Sequence, residues 1–258
     1  MTAVDPFFTP TPDGFLPTAV ARDPGQPDRQ AGAALAGLLA RSLQAAPAAA
    51  TMNIARLTID LLHPAPFAPT QVLWRVLREG RRTTVLEASL TAGGLEAARA
   101  SALFVRRAEE GAPATVFAPP FPAVEDAPQT PIEPGPAGFE TRLVTGGLEG
   151  GVERPRAWIQ PTTEVVAGEG RDPLAAAMMA ASFTLRLGEM GAASGAQPLD
   201  IAVHFVRPPR ETWILVDADT LAPGGAALAH SQLSDRSGLF AHAQQTLATS
   251  RFTRADAA

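Results

Sequence analysis

The sequence contains no cysteine. That excludes disulfides, a thiolate nucleophile and a thiolate-held metal. No apolar run approaches the ~18 residues needed to span a bilayer. The start, MTAVDPFFTP, lacks the basic residues and apolar stretch of a secretory signal. A cytoplasmic protein with no membrane partner is therefore expected. Charge is sparse as well: 18% of residues are charged and the net charge is −5. With a pI near 5.4, nucleic acid is not an expected partner. What is present is apolar material, 46% of 258 residues. That is enough for two cores in units of roughly 100–130 residues each.

Two such units are written into the chain as a repeat. LTIDLLHPAP (57–66) and LDIAVHFVRPP (199–209) each read as an apolar run ended by proline. Pro64 and Pro208 lie 144 residues apart (208 − 64). Gly94 in TAGG and Gly238 in DRSG keep the same spacing, as do Gly80 in LREGRR and Gly224 in LAPGGA. Strand, turn and strand thus recur in register, with a one-residue slip between the last two turns, and duplication follows. Leu57, Ile59 and Leu61 alternate with Arg56, Thr58 and Asp60, and Trp74 and Val76 flank Arg75. In the second copy Ile201, Val203 and Phe205 alternate with Asp200, Ala202 and His204. Period two of this kind predicts antiparallel sheet with one face buried.

A helix is predicted ahead of each strand set. Residues 28–44 mix leucines with Ala33, Ala34, Gly37 and Ala40, with Asp28 as the N-cap. Residues 172–188 start with Asp172–Pro173, an N-cap followed by the first helical residue. Both helices are apolar nearly all round, so each is enclosed, with a curled sheet wrapped about it. The proline-dense stretch 108–138 predicts an irregular linker between a first unit at 1–107 and a second at 139–258.

Three strings carry a resemblance. WRVLREGRRTTVLEASLTAGGLEAARASALF (74–104), AWIQPTTEVVAGEGRDPLAAAMMAASF (157–183) and LDIAVHFVRPP follow one another as they do in the acyl-CoA thioesterase II-like proteins. The chain resembles this thioesterase-like superfamily over roughly residues 14–252. The resemblance implies an α+β double hotdog: two tandem antiparallel sheets, each wrapped around a central helix. It implies hydrolysis of acyl-CoA thioesters by an oriented water, with no cofactor, no metal and no covalent intermediate. Assembly into a homo-oligomer is compatible with it.

The family's activating residues are an Asp on the second helix, a Thr opening the next strand and a Gln on the last strand. Carried onto this chain, the Asp position holds Ser182, the Thr position holds Pro198, and the Gln is Gln245. Ser182 can hold a water but is no base at neutral pH, and Pro198 offers neither hydroxyl nor N–H. Asp200, at the start of its strand, is the candidate to replace the lost carboxylate; bonding to nearby backbone is its structural alternative. The expected site is therefore Gln245, Ser182 and Asp200, in an altered thioesterase or a non-catalytic protein that binds acyl thioesters or a protein partner. Asp200 with His204 is also the one pair suited to a hydratase. His204, His230 and His242 share the second unit, but no acid has fitting spacing for a metal. Arg78, Arg81 and Arg82 cluster at a turn, to meet phosphates or to be solvated.

Overall fold

In the computed structural model, residues 4–107, 123–127, 137–145, 156–188, 197–221 and 226–248 are described. The first unit runs β1 (Phe8–Thr11), β2 (Gly14–Pro17), α1 (Gly32–Gln44), β3 (Met52–Leu61), β4 (Thr70–Glu79), β5 (Thr83–Ala92) and β6 (Leu95–Arg106). The second runs β7 (Phe139–Thr145), β8 (Arg156–Pro161), α2 (Pro173–Ala181), α3 (Thr184–Gly188), β9 (Gln197–Pro198), β10 (Asp200–Phe205), β11 (Ile214–Leu221), β12 (Ala226–Asp235) and β13 (Gly238–Ala248).

All the strands join one antiparallel sheet. Its order is β1-β2-β4-β5-β6-β3-β10-β13-β12-β11-β8-β7, with β9 paired to β13. Read outward from the centre, both halves repeat the same strand order. The seam is β3 against β10, in register from Asp60↔Asp200 to Arg56↔His204. Two hotdog sheets thus meet edge to edge, which removes one free edge from each. Leu57, Ile59, Ile201 and Val203 are buried on the helix side, as their alternation predicts.

The two helices pack on each other inside this sheet. α1 carries Ala33, Ala34, Leu35, Leu38, Leu39 and Leu43 into the core. The close crossing depends on Gly37, where an added Cβ would lie 2.7 Å from Met179 Sδ of α2. Asp28 does not cap α1. The helix starts at Gly32 behind Ala31, which has no side-chain cap. Residues before it are held extended: Gln30 N–H donates to Ala65 O at 2.9 Å and Phe67 N–H to Asp28 O at 2.8 Å. Asp172 does cap α2, accepting from Leu174 N–H at 2.9 Å.

The repeat spacing is not uniform. β4 and β11 start 144 residues apart (214 − 70), whereas the following hairpins close at Ala92↔Leu95 and Asp235↔Gly238, 143 apart (235 − 92). The slip thus falls at a bulge in β4: Val76 matches Thr220, 144 apart (220 − 76), but Arg78 matches Leu221, 143 apart (221 − 78). Continued at 143, the spacing sets Gly224, which lies outside the described residues, against Arg81 and not Gly80. The two turns also differ. Gly93 and Gly94 both take positive φ (57° and 83°), as a tight primed turn requires. In the second unit Gly238 alone does so (101°), and Asp235 Oδ1 accepts from Ser237 N–H at 2.8 Å.

One strand departs from the alternation. In β4, Leu73, Trp74, Val76 and Leu77 are all exposed. β2 reaches β4 only at Phe15↔Thr70, while the matching β11 is paired with β8 from Ile214 to Asp217. Most of the linker, 108–122 and 128–136, lies outside the described residues. Between those stretches Val124 is buried against Trp158 and Leu215.

Candidate functional site

The site grows from a break in the second helix. α2 ends at Ala181 and α3 begins at Thr184. The break has a local cause: two hydroxyls compete with the backbone for carbonyls. Ser182 Oγ donates to Met179 O at 2.6 Å, and Thr184 Oγ1 donates to Ala181 O at 2.7 Å. Backbone bonds there shorten to i→i−3, from Ser182 N–H to Met179 O and from Phe183 N–H to Ala180 O. Phe183 anchors the break edge-on against Phe139, ring centroids 4.9 Å apart.

In an unbroken helix Leu185 N–H would donate to Ala181 O. Here Thr184 takes that oxygen, and Leu185 N–H turns to the sheet. It donates to Gln245 Oε1 at 3.0 Å. Gln245 is on β13, on the buried face with Ala241, Ala243 and Leu247, and is itself fully buried. The bond settles the orientation of the amide, because only its oxygen can accept. Gln245 Nε2 then faces the interior with no hydrogen-bond partner. Beside it, Thr184 Oγ1 and Ser231 Oγ lie 2.8 Å apart, both buried.

Ser182 is half-buried at the break, three residues from the N–H that holds Gln245. Asp200 does not join these groups. Its strand phase turns it to the outer face, away from Ile201 and Val203. There it accepts from Thr246 N–H at 2.5 Å and Thr246 Oγ1 at 3.1 Å. Pro198 pairs with Leu247, one step along the same face from Gln245. His204 and His242 stand opposite each other on the outer face, and His230 is 4.0 Å from Asp219. Among the described residues no group of three or more His, Asp or Glu is placed to hold a metal. No helix among them is long and apolar enough to cross a membrane.

Residues 22–105 match the family model of the acyl-CoA thioesterase N-terminal domain. The chain has the double hotdog fold and resembles the thioesterase-like superfamily. A hot dog fold protein of unknown function from Alicyclobacillus acidocaldarius is 17% identical over 90% of each chain, with a TM-score of 0.71. A thioesterase II candidate from Thermobifida fusca YX is 16% identical over 95% of each, with a TM-score of 0.74. The acyl-CoA thioesterase II TesB2 of Mycobacterium marinum is 20% identical over 84% of this chain and 89% of its own, with a TM-score of 0.61. No curated protein matches the sequence. At these identities the structural likeness is one of fold.

Two members of the double hotdog's polar cluster escaped the sequence reading. Ser231 shares the buried phase of Ala227, Ala229 and Leu233, so the period-two rule could have flagged it. Thr184 could not be flagged that way, because it matters only once the helix is known to break.

Proposed function

We propose that the chain binds acyl-CoA thioesters at the Gln245 cluster and hydrolyses them slowly. In the reaction, water adds to the thioester carbonyl carbon and the C–S bond breaks. The leaving thiolate takes a proton, releasing a carboxylic acid and CoA. No metal and no covalent intermediate enter this scheme.

The observation that carries the reading is the locked amide of Gln245. Its oxygen is held by Leu185 N–H, so Nε2 is left as a buried donor without a partner. A buried N–H of that kind is costly, and a ligand carbonyl or a bound water would satisfy it. Donation to the carbonyl oxygen would stabilise the charge that develops during attack. Ser182, Thr184 and Ser231 can orient a water but cannot deprotonate it. Asp200, the remaining acid of the expected set, is engaged by Thr246 on the outer face. A positioned base contributes about 10² to 10⁴ in rate, so turnover without one is slow. The same feature favours the second reading, an acyl-thioester binder that does not turn over.

Thiol release from acyl-CoA of graded chain length tests the proposal, with Gln245→Ala alongside. Slow release that drops a further ~10² fold in the variant is expected. An unchanged rate in Gln245→Ala would overturn it. Saturable binding lost in Gln245→Ala, with no release from the natural chain, selects the binder. The variant also strips Leu185 N–H of its acceptor, which costs about 1–3 kcal/mol of stability.

A further inference from the structure

A cavity of about 310 Å³ opens between the end of α1 and the start of α2. Met52, Ile54, Phe104 and Leu174 give it apolar walls, and Asp172 and Arg107 are its charged groups. Its place in the duplication is informative. Ile54 pairs with Phe104 in the first unit, as Pro198 pairs with Leu247 in the second. The cavity therefore stands where the Pro198–Leu247 end of the Gln245 site stands in the second unit. Two residues along the strand from Leu247 is Gln245; two along from Phe104 is Ala102. The first unit thus has a buried alanine, two residues from the cavity-lining Phe104, where the other site has an amide.

Its surroundings are basic. Arg107 lines it and reaches Ala50 O at 3.5 Å. Arg106 N–H donates to Arg82 O at 2.9 Å, which brings the turn with Arg81 and Arg82 to the same end of the sheet. Arg78, Arg81, Arg82, Arg106 and Arg107 are all exposed, and none has a carboxylate partner among the described residues. The positions matching Arg81 and Arg82 in the second unit are Gly224 and Gly225.

We propose that this cavity is a second site that binds the phosphate-bearing end of CoA without cleaving it. The phosphates meet Arg82, Arg106 and Arg107, and the slender pantetheine arm lies against Ile54, Phe104 and Leu174. The volume suits an arm of that kind, and exposed guanidiniums suit phosphate. The choice of CoA rests on the proposed function; the phosphate recognition does not.

Calorimetric titration of the full chain with free CoA, and with pantetheine as the arm without phosphates, tests the site. CoA should bind and pantetheine should bind at least about tenfold more weakly. Arg82→Ala combined with Arg107→Ala should weaken CoA at least about tenfold. Ala50→Trp, which plugs the mouth at an exposed position and leaves the charge intact, should weaken it as well. Gln245→Ala should leave this binding unchanged. Thiol release from acyl-CoA should be the same in the arginine and Ala50 variants as in the natural chain. CoA binding that survives the arginine and Ala50 changes but is lost in Gln245→Ala would overturn the second site, as would no binding of CoA at all. Because the titration needs no turnover, a chain that hydrolyses nothing would defeat slow hydrolysis while leaving this inference standing.

Discussion

The two units share a fold and differ in how polar their buried positions are. Leu86, Ala88 and Ala102 face α1 in the first unit, and Ala229, Ser231 and Gln245 stand at the matching positions of the second. α1 runs unbroken for 13 residues, while the second helix stops at Ala181 and restarts at Thr184. The difference teaches that the duplicated backbone tolerates a polar cluster only with its partners. Gln245, Thr184 and the broken helix form one unit: the break frees a backbone N–H, and the amide oxygen takes it. The turns show the same contrast. Ala92 is simply buried in the first hairpin, whereas its counterpart Asp235 is a buried carboxylate bonded to Arg207 at 2.5 and 2.8 Å.

That buried pair offers the largest test. Asp235→Ala makes the second turn resemble the first but leaves Arg207 unpaired in a largely buried place. We expect a loss of about 3–5 kcal/mol in denaturant unfolding. Burial alone would raise the Asp235 carboxyl; the Arg207 guanidinium and the N–H groups of Arg210 and Ser237 outweigh it, and the folded value is lowered. Its stabilisation is therefore present above the unfolded carboxylate pKa of about 3.9 and is lost as pH falls through the lower folded value. The natural chain should lose more stability over that acid range than the variant.

Grafting the site side chain onto the wrong unit is next. Ala102→Gln places an amide opposite Leu86, beside a helix with no break to supply its partner. A cost of about 1–3 kcal/mol in thermal or denaturant unfolding is expected, with no gain in thiol release. A neutral result would mean that the helix break is not what accommodates Gln245.

Restoring the residues that the thioesterase-like resemblance implies should act at the level of about 1.4 kcal/mol. Ser182→Asp with Pro198→Thr is expected to raise thiol release at least about tenfold, and Pro198→Thr alone to change it little. The carboxylate would enter at the helix break, where burial raises its pKa toward that of a useful base. Slower release in the double variant would show that another group is the base.

The helix starts provide the smallest contrast, since Ala31 opens α1 without a side-chain cap and Asp172 caps α2. Burial raises the folded pKa of Asp172, so the folded state holds its proton more tightly than the unfolded chain. Stability from this group is greatest below about pH 3.9 and declines as pH rises through the folded value. Asp172→Asn keeps the cap and removes that decline; a change under ~1 kcal/mol at neutral pH is expected, read by melts across pH.

Much of the architecture was legible in the chain. The spacing of Pro64 and Pro208 located the duplicated strands, the hairpin glycines did so to within one residue, and period-two alternation oriented Leu57, Ile59, Ile201 and Val203. Asp172–Pro173 marked the start of α2. These signals are local: a turn needs its glycine, a strand its alternation and a helix its cap, wherever the rest of the chain lies. Asp28 misled, because the extended pairing of Gln30 and Phe67 with distant residues overrides a local capping preference. Alternation also failed for β4, because burial of its second face depends on a neighbouring strand that extends only to Thr70.

What only the tertiary structure decided is which polar atoms meet. The sequence by itself determined two copies of one sheet-and-helix unit and an apolar core without thiols, and its resemblance put a glutamine on the last strand. It did not determine that the second helix breaks after Ala181, that Thr184 takes the carbonyl Leu185 would have used, or that Gln245 receives the freed N–H. It did not determine that Asp200, on the outer face, bonds to Thr246. The physical reason is range: strand phase is set by residues two apart, while the Leu185–Gln245 bond joins groups 60 residues apart in sequence and exists only after the sheet has closed on the helix.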